Sequence, residues 1–213
     1  MPRALDGLDV LVVVNPNNPT GRLLPPEQLL DWHGRLAERG GWLIVDEAFM
    51  DPTPSHSLAP HSHLPGLIVL RSFGKFFGMA GARLGFVLAE QGLLSVLGDA
   101  LGPWPIAGPS RFIGTVLFGD REGQHRQRER LRSDSERLAQ LLTEQGLPPT
   151  GGCWLFHWVV TEEATMLHEF LACQGILVRR FQYPSSVRFG LPADEAGWAR
   201  LTRALISYQA LRT

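Results

Sequence analysis

Residues 69–86 read VLRSFGKFFGMAGARLGF, and Lys75 at the centre of this stretch is the only lysine among 213 residues. The other nineteen of the 20 Lys+Arg residues are arginines. An arginine-rich surface needs no lysine for solubility, and an amine can do what a guanidinium cannot. Desolvated or crowded by cations, it loses its proton and attacks a carbonyl carbon to form an imine. Lys75 is therefore a candidate imine-forming lysine; the competing reading is a survivor of a bias toward arginine codons. Residues 67–70 before it and 84–88 after it are short apolar runs of the buried-strand kind. Between them, Gly74, Gly78, Gly81 and Gly85 permit close backbone approach to a ligand. Ser72 and Arg83 offer a hydroxyl and a fork-shaped cation, which together suit a phosphate.

Upstream, residues 10–14 (VLVVV) form a continuous β-branched run, expected as a parallel strand covered on both faces. The run ends in NPNNPTG at 15–21, a loop that presents amide side chains at the strand's carboxyl end. Pro25 and Pro26 open a helix reaching about Arg39, with Leu29, Leu30, Trp32 and Leu36 on its apolar side and Gly40 and Gly41 at its end. Residues 42–45 make the next buried strand and deliver Asp46 and Glu47, either into the crevice where open α/β sheets bind ligands or as helix caps. Residues 51–65, with four prolines and three histidines, read as an excursion loop. His61 and His63 alternate rather than share a helix face, and no metal site is expected there. The whole order describes a doubly wound α/β layer.

Residues 91–101 continue as a helix, and a helical pattern runs from 108 to 146 with interruptions near Gly119 and Gly123. Its arginines, Arg121 to Arg137, are interspersed with Asp120, Glu122, Glu129, Asp134 and Glu136, which favours an ion-paired, solvated face over nucleic-acid binding. From 147 onward, strands at 153–160, 176–179 and 187–189 and helices at 162–174 and 194–211 suggest a compact α+β unit. Arg179 and Arg188 sit at or inside apolar strands, where an arginine either snorkels to solvent or pairs with an anion. The chain thus divides into 1–107, a connecting helical segment 108–146, and 147–213. A formal net charge of -1 and 44% hydrophobic residues point to neither a nucleic-acid nor a membrane partner. No apolar run approaches the roughly 20 residues of a membrane helix, and the first ten residues lack a signal-peptide pattern, so a cytoplasmic location is expected. Cys153 and Cys173 form no CxxC pair and are expected as buried, reduced thiols.

NPNNPTG, VDEAF, LRSFGKFFGMAGARLGF and VRFGLP stand in the order and at spacings compatible with the fold-type I pyridoxal-phosphate enzymes, and the chain resembles the aspartate aminotransferase superfamily. Within it the chain is similar to the histidinol-phosphate aminotransferases. It is closer still to the threonine-phosphate decarboxylases of cobalamin synthesis, which resemble it in DEAF, LRS..KF and the pair Pro103-Trp104. The resemblance implies an α/β fold: part of a mostly parallel-sheet, cofactor-binding large domain, followed by a small α+β domain. It also implies roles. Lys75 would hold pyridoxal phosphate as an imine and move protons at the substrate carbon. Asp46 would keep the pyridine nitrogen protonated, Asn18 would bond the phenolic oxygen, and Ser72 with Arg83 would hold the cofactor phosphate. Arg188 would clamp a substrate carboxylate and Arg179 a substrate phosphate.

Two positions depart from the family pattern. Phe49 stands where most aminotransferases have a tyrosine that bonds the same phenolic oxygen, which favours the decarboxylase branch. Cys153 stands where relatives place an asparagine. The implied reaction is decarboxylation of a small phosphorylated amino acid, threonine phosphate; transamination of the histidinol-phosphate type is the alternative, because the same residues serve either bond. A homodimer with shared sites is implied as well. Family members extend farther at the N-terminus, with a glycine-rich turn and a ring-stacking aromatic residue. A further reading is therefore a non-catalytic remnant or binding module, a fragment lacking the N-terminal half of the site, with an exposed central sheet edge.

Overall fold

The computed structural model describes residue 5 and residues 7–212. The chain forms two compact units, residues 1–18 with 23–127, and residues 19–22 with 128–213.

In the first unit β1 (Val10–Val14), β2 (Trp42–Asp46) and β3 (Leu67–Ser72) are parallel neighbours, and β4 (Gly85–Leu88) runs antiparallel to β3, in the order β1-β2-β3-β4. α1 (Pro26–Ala37) starts on proline, whose fixed φ and missing N–H cost nothing in a first helical turn. It ends at Gly40, with φ 71°, and Gly41, whose N–H bonds the Leu36 carbonyl at 2.9 Å. A Cβ on Gly41 would lie 2.9 Å from the Asp9 carbonyl oxygen, so the helix can turn into β2 only through glycine. Leu29, Trp32 and Leu36 of α1 pack on Leu43 and Val45 of β2 and Leu67 and Val69 of β3. Each fully buried side chain of that size contributes roughly 1.5–3 kcal/mol.

The other face of the sheet differs from expectation at β1. Leu11 and Val13 meet the core, but Val10 and Val12 are 47% and 62% exposed. Strand residues alternate between faces, so these two valines share the second face and are left open on it. After β4 come α2 (Gln91–Leu101), with no buried residue, and α3 (Gly108–Gly119). The helical pattern breaks at Asp120, while Gly123 lies within the first turn of α4 (Arg121–Glu144).

The second unit gathers α4 from Arg128 onward, β5 (Gly151–Cys153), β6 (Phe156–Val160), α5 (Ala164–Cys173), β7 (Arg179–Phe181), β8 (Ser186–Gly190) and α6 (Glu195–Arg212). Its sheet is antiparallel throughout, in the order β5-β6-β8-β7. The expected strand at 153–160 is a hairpin turning at 154–155, and the strand expected at 176–179 begins only at Arg179. Leu138, Leu142, Leu167, Leu171, Val187, Phe189, Leu205 and Tyr208 form the core. Arg126–Glu122 and Arg130–Asp134 on α4 are surface pairs at i, i+4 spacing, as the mixed-charge pattern suggests. Cys153 is half-buried and Cys173 exposed, so the expectation of two buried thiols fails; α5 ends at Cys173, past its buried face. No helix among the described residues is long and apolar enough to cross a membrane.

Candidate active site

Three parallel strand ends and one turn assemble the predicted residues of the first unit. At the end of β1, Asn15 is fully buried. Its side chain accepts from the Leu24 N–H at 2.7 Å and donates to the Leu24 carbonyl at 3.1 Å, tying off the loop that carries Asn18. Asn18 itself is exposed. At the end of β2, Asp46 Oδ1 accepts the Ala48 N–H at 2.9 Å, which turns the chain toward buried Phe49. At the end of β3, Ser72 Oγ accepts the Gly74 N–H at 3.1 Å and opens the lysine turn. Phe73 and Phe76 bury on either side of Lys75, anchoring the turn while the amine stays exposed. Lys75 Nζ lies 5.6 Å from the centre of the Phe49 ring, beside the turn that follows Asp46. Arg83 adopts φ 50° at the end of the short 3-10 turn Ala80–Ala82, is exposed, and donates to the Ala80 carbonyl at 3.2 Å.

Beneath this layer is a polar cluster whose pairing the sequence did not reveal. Glu47 is fully buried and accepts from Ser57 Oγ at 2.5 Å, the Leu58 N–H at 2.7 Å and Arg71 Nη1 at 3.2 Å. Arg71 also donates to Ser57 Oγ at 3.1 Å and forms an ion pair with Asp51. Burial pushes the Glu47 carboxyl above its ordinary range, opposed by the bonds from Ser57 and Leu58 and by the Arg71 charge. A cavity of about 310 Å³ adjoins Arg71, Ser72, Phe73, Phe77, Phe86 and Phe118, but neither Lys75, Asp46 nor Asn18 lines it. It belongs to the phenylalanine cluster, where Phe73 and Phe77 stack at 4.3 Å and Phe118 meets Phe73 edge-on at 4.8 Å.

The other two predicted residues lie in the second unit. Arg179 of β7 and Arg188 of β8 are direct partners in the antiparallel register, so their Cβ atoms leave the same face of that sheet. Arg188 stacks 4.9 Å from the Phe156 ring centre. Burial first, and the Arg179 charge second, pull the Arg188 guanidinium below its ordinary range. Two cations set against each other on one sheet face are complementary to a ligand with two anionic groups. Cys153, whose neighbours include Arg188, has its thiol pushed up to about 11, mainly by burial. It is therefore a neutral wall of the arginine region at physiological pH rather than a nucleophile. His157 behind this sheet has Nε2 2.8 Å from the Ser135 carbonyl and 3.0 Å from its Oγ, and burial lowers its basicity.

The polar groups of the first unit match an aldehyde-bearing pyridine phosphate by chemistry: an accessible amine, a strand-end carboxylate, an amide, and a hydroxyl and a guanidinium flanking a glycine turn.

Comparison with known proteins agrees with that match. The aminotransferase class I and II family model matches residues 3–211. The chain is 58% identical over 205 residues to a threonine-phosphate decarboxylase of Pseudomonas aeruginosa, covering 96% of this chain and 62% of that protein. It is 46% identical over 202 residues to a threonine-phosphate decarboxylase of a Sinorhizobium species, covering 92% and 59%. In fold it matches the crystal structure of histidinol-phosphate aminotransferase from Sinorhizobium meliloti in complex with pyridoxal-5'-phosphate with a TM-score of 0.88 at 20% identity, over 100% of this chain and 60% of that one. The chain thus spans about 60% of the length of these relatives.

Proposed function

Because the chain belongs to the class I and II aminotransferases, we propose that it acts in a pyridoxal-phosphate enzyme that decarboxylates L-threonine O-3-phosphate to (R)-1-aminopropan-2-ol O-2-phosphate in cobalamin synthesis. The likeness to the Pseudomonas aeruginosa decarboxylase along nearly the whole chain carries this reading. Phe49 supports it, since the ring beside Lys75 has no hydroxyl to offer the cofactor.

In this reading pyridoxal phosphate, when bound, supplies an electron sink conjugated with the substrate's α-carbon. Lys75 would hold the cofactor's aldehyde carbon and would deliver a proton to the substrate's α-carbon. Asp46 keeps the pyridine nitrogen protonated, Asn18 donates to the phenolic oxygen, and Ser72 with Arg83 binds the cofactor phosphate. Arg188 takes the substrate carboxylate and Arg179 its phosphate. By holding its two anionic groups, Arg188 and Arg179 would fix how the substrate is turned toward the cofactor. Phosphate binding thus supplies remote binding energy for orienting the carboxylate. The enzyme acts in the cytoplasm as a homodimer, for which exposed Val96, Leu101, Phe112 and Val116 on α2 and α3 provide apolar surface.

Carbon dioxide released from threonine phosphate without a keto product is the expected result. Turnover of histidinol phosphate that depends on 2-oxoglutarate would reject the decarboxylase. Borohydride reduction followed by peptide mapping should place the label on Lys75; an unlabelled Lys75 would reject the site itself.

A further inference from the structure

We infer that Glu47 and Arg71, bridged by Ser57 and tied to Asp51, form a positioning clamp that holds Asp46 and Ser72 in place on the opposite face of the sheet. The geometry follows from register. Leu43 pairs with Leu67 and Val45 with Val69 along the buried face under α1. Glu47 and Arg71 are the next residues in those two rows, so the core face ends in an ion pair instead of an apolar pair. On the other face Asp46 pairs with Leu70, and Ser72 follows two residues later. The pairing of β2 with β3 stops at Asp46 and Leu70, with one last bond from the Glu47 N–H to the Leu70 carbonyl at 2.9 Å. Beyond that point Ser72 pairs with Gly85 of β4. The side-chain pair carries the linkage between the β2 and β3 ends past the last backbone bond.

The same cluster secures the 51–65 loop. Ser57 Oγ donates to Glu47 and accepts the Ala59 N–H at 3.0 Å, and the Leu58 N–H also ends on Glu47. A fully buried carboxylate is costly unless it is paired and hydrogen-bonded, and removing one partner is penalised more than the pair is worth. Such a cluster is stiff, because each member loses several bonds at once if it moves. Glu47 and Arg71 are positioning residues: they act through Asp46 and Ser72, the neighbours they adjoin in the chain. The clamp deepens the function proposed above and rests on it for the identity of the group that Asp46 and Ser72 face.

The test uses Arg71→Met, Arg71→Lys and Ser57→Ala with two independent readouts. The first needs no cofactor: hydrogen exchange of the Ala48 and Gly74 amides, which bond Asp46 Oδ1 and Ser72 Oγ. In Arg71→Met both should exchange about tenfold faster or more, with the amides of Leu43 and Val45 unchanged. The second is the pyridoxal-phosphate-loaded protein. Its cofactor affinity should fall by about tenfold to a hundredfold, and the pH midpoint of the Lys75-linked absorption band should move, both largely recovered in Arg71→Lys. A folded Arg71→Met protein with both amides within about twofold of the original overturns the clamp. Faster amides with unchanged affinity and pH midpoint overturn its positioning role. Should Arg71→Met fail to fold, Ser57→Ala, which removes only the bridging hydroxyl, decides by the same amides. Absence of any Lys75-linked band in the unsubstituted protein refutes the proposed function instead, and the amide measurement still decides the clamp.

Discussion

Replacing Asn15 with alanine tests how the loop that presents Asn18 is held. The side chain is fully buried and makes two bonds to one residue, accepting from the Leu24 N–H at 2.7 Å and donating to its carbonyl at 3.1 Å. Alanine removes both and leaves a backbone donor and acceptor without their partner. Each loss costs about 1–3 kcal/mol, and half-buried Leu24 places both near the low end, so about 2–3 kcal/mol is expected in total. For a chain of this size that lowers the midpoint of thermal unfolding by about 4–12 °C. Denaturant unfolding should show a lower midpoint at unchanged slope, because the surface exposed on unfolding is the same. Asn15→Asp is the informative companion: at neutral pH it keeps the acceptor, loses the donor and buries a charge. It should be at least as destabilised as the alanine variant, and partly relieved in acid, where the protonated carboxyl regains a donor. Pyridoxal-phosphate affinity should fall with stability, since Asn18 rides on the same loop. A midpoint shift below about 1 °C for Asn15→Ala would refute the reasoning.

Lys75→Ala should abolish borohydride labelling yet leave stability within about 0.5 kcal/mol, because the amine is exposed; a large loss in unfolding measurements would make Lys75 a structural residue. Arg179→Ala should raise the KM for threonine phosphate by about tenfold to a hundredfold, the worth of a charged hydrogen bond, with little effect on cofactor binding; an unchanged KM would remove it from the substrate site. Iodoacetamide near neutral pH should modify Cys173 and spare Cys153, whose thiol is pushed up to about 11, as mass spectrometry of the peptides would show. His157 is held below its ordinary 6.5 by burial, so the unfolded chain binds its proton more readily. The stability it contributes is complete above about pH 6.5 and drains away as pH falls through the lower folded value. The stability difference between the original protein and His157→Gln should therefore be constant above about pH 6.5 and change toward acid as the original loses that contribution, and curves parallel at every pH would contradict the assignment.

Much of the candidate site was legible because it sits where local signals change. Apolar runs give way to polar residues at Asn15, Asp46 and Arg71, each within one residue of a strand end in the structure. The singularity of Lys75 was visible by counting, and the mixed charges of α4 marked a solvated helix face. Other features were not legible. The turn at 154–155 is hidden because Trp154 and Leu155 are as apolar as the strands they join, so no break in pattern announces the hairpin. β1 reads as covered on both faces although Val10 and Val12 are exposed, because a run of valines records what the strand can bury, not what covers it.

The order of residues alone determined which chemical groups the protein carries and where the chain extends, coils or turns, since those depend on neighbours a few positions away. Tertiary structure decided how the groups are used. Asp46 and Glu47 are adjacent carboxylates that must leave an extended backbone on opposite sides, but nothing local says which side is buried. α1 covers one face of the sheet, and a residue 24 positions away, Arg71, meets Glu47 there. That long-range packing makes Glu47 part of a buried clamp and leaves Asp46 on the opposite face of the sheet.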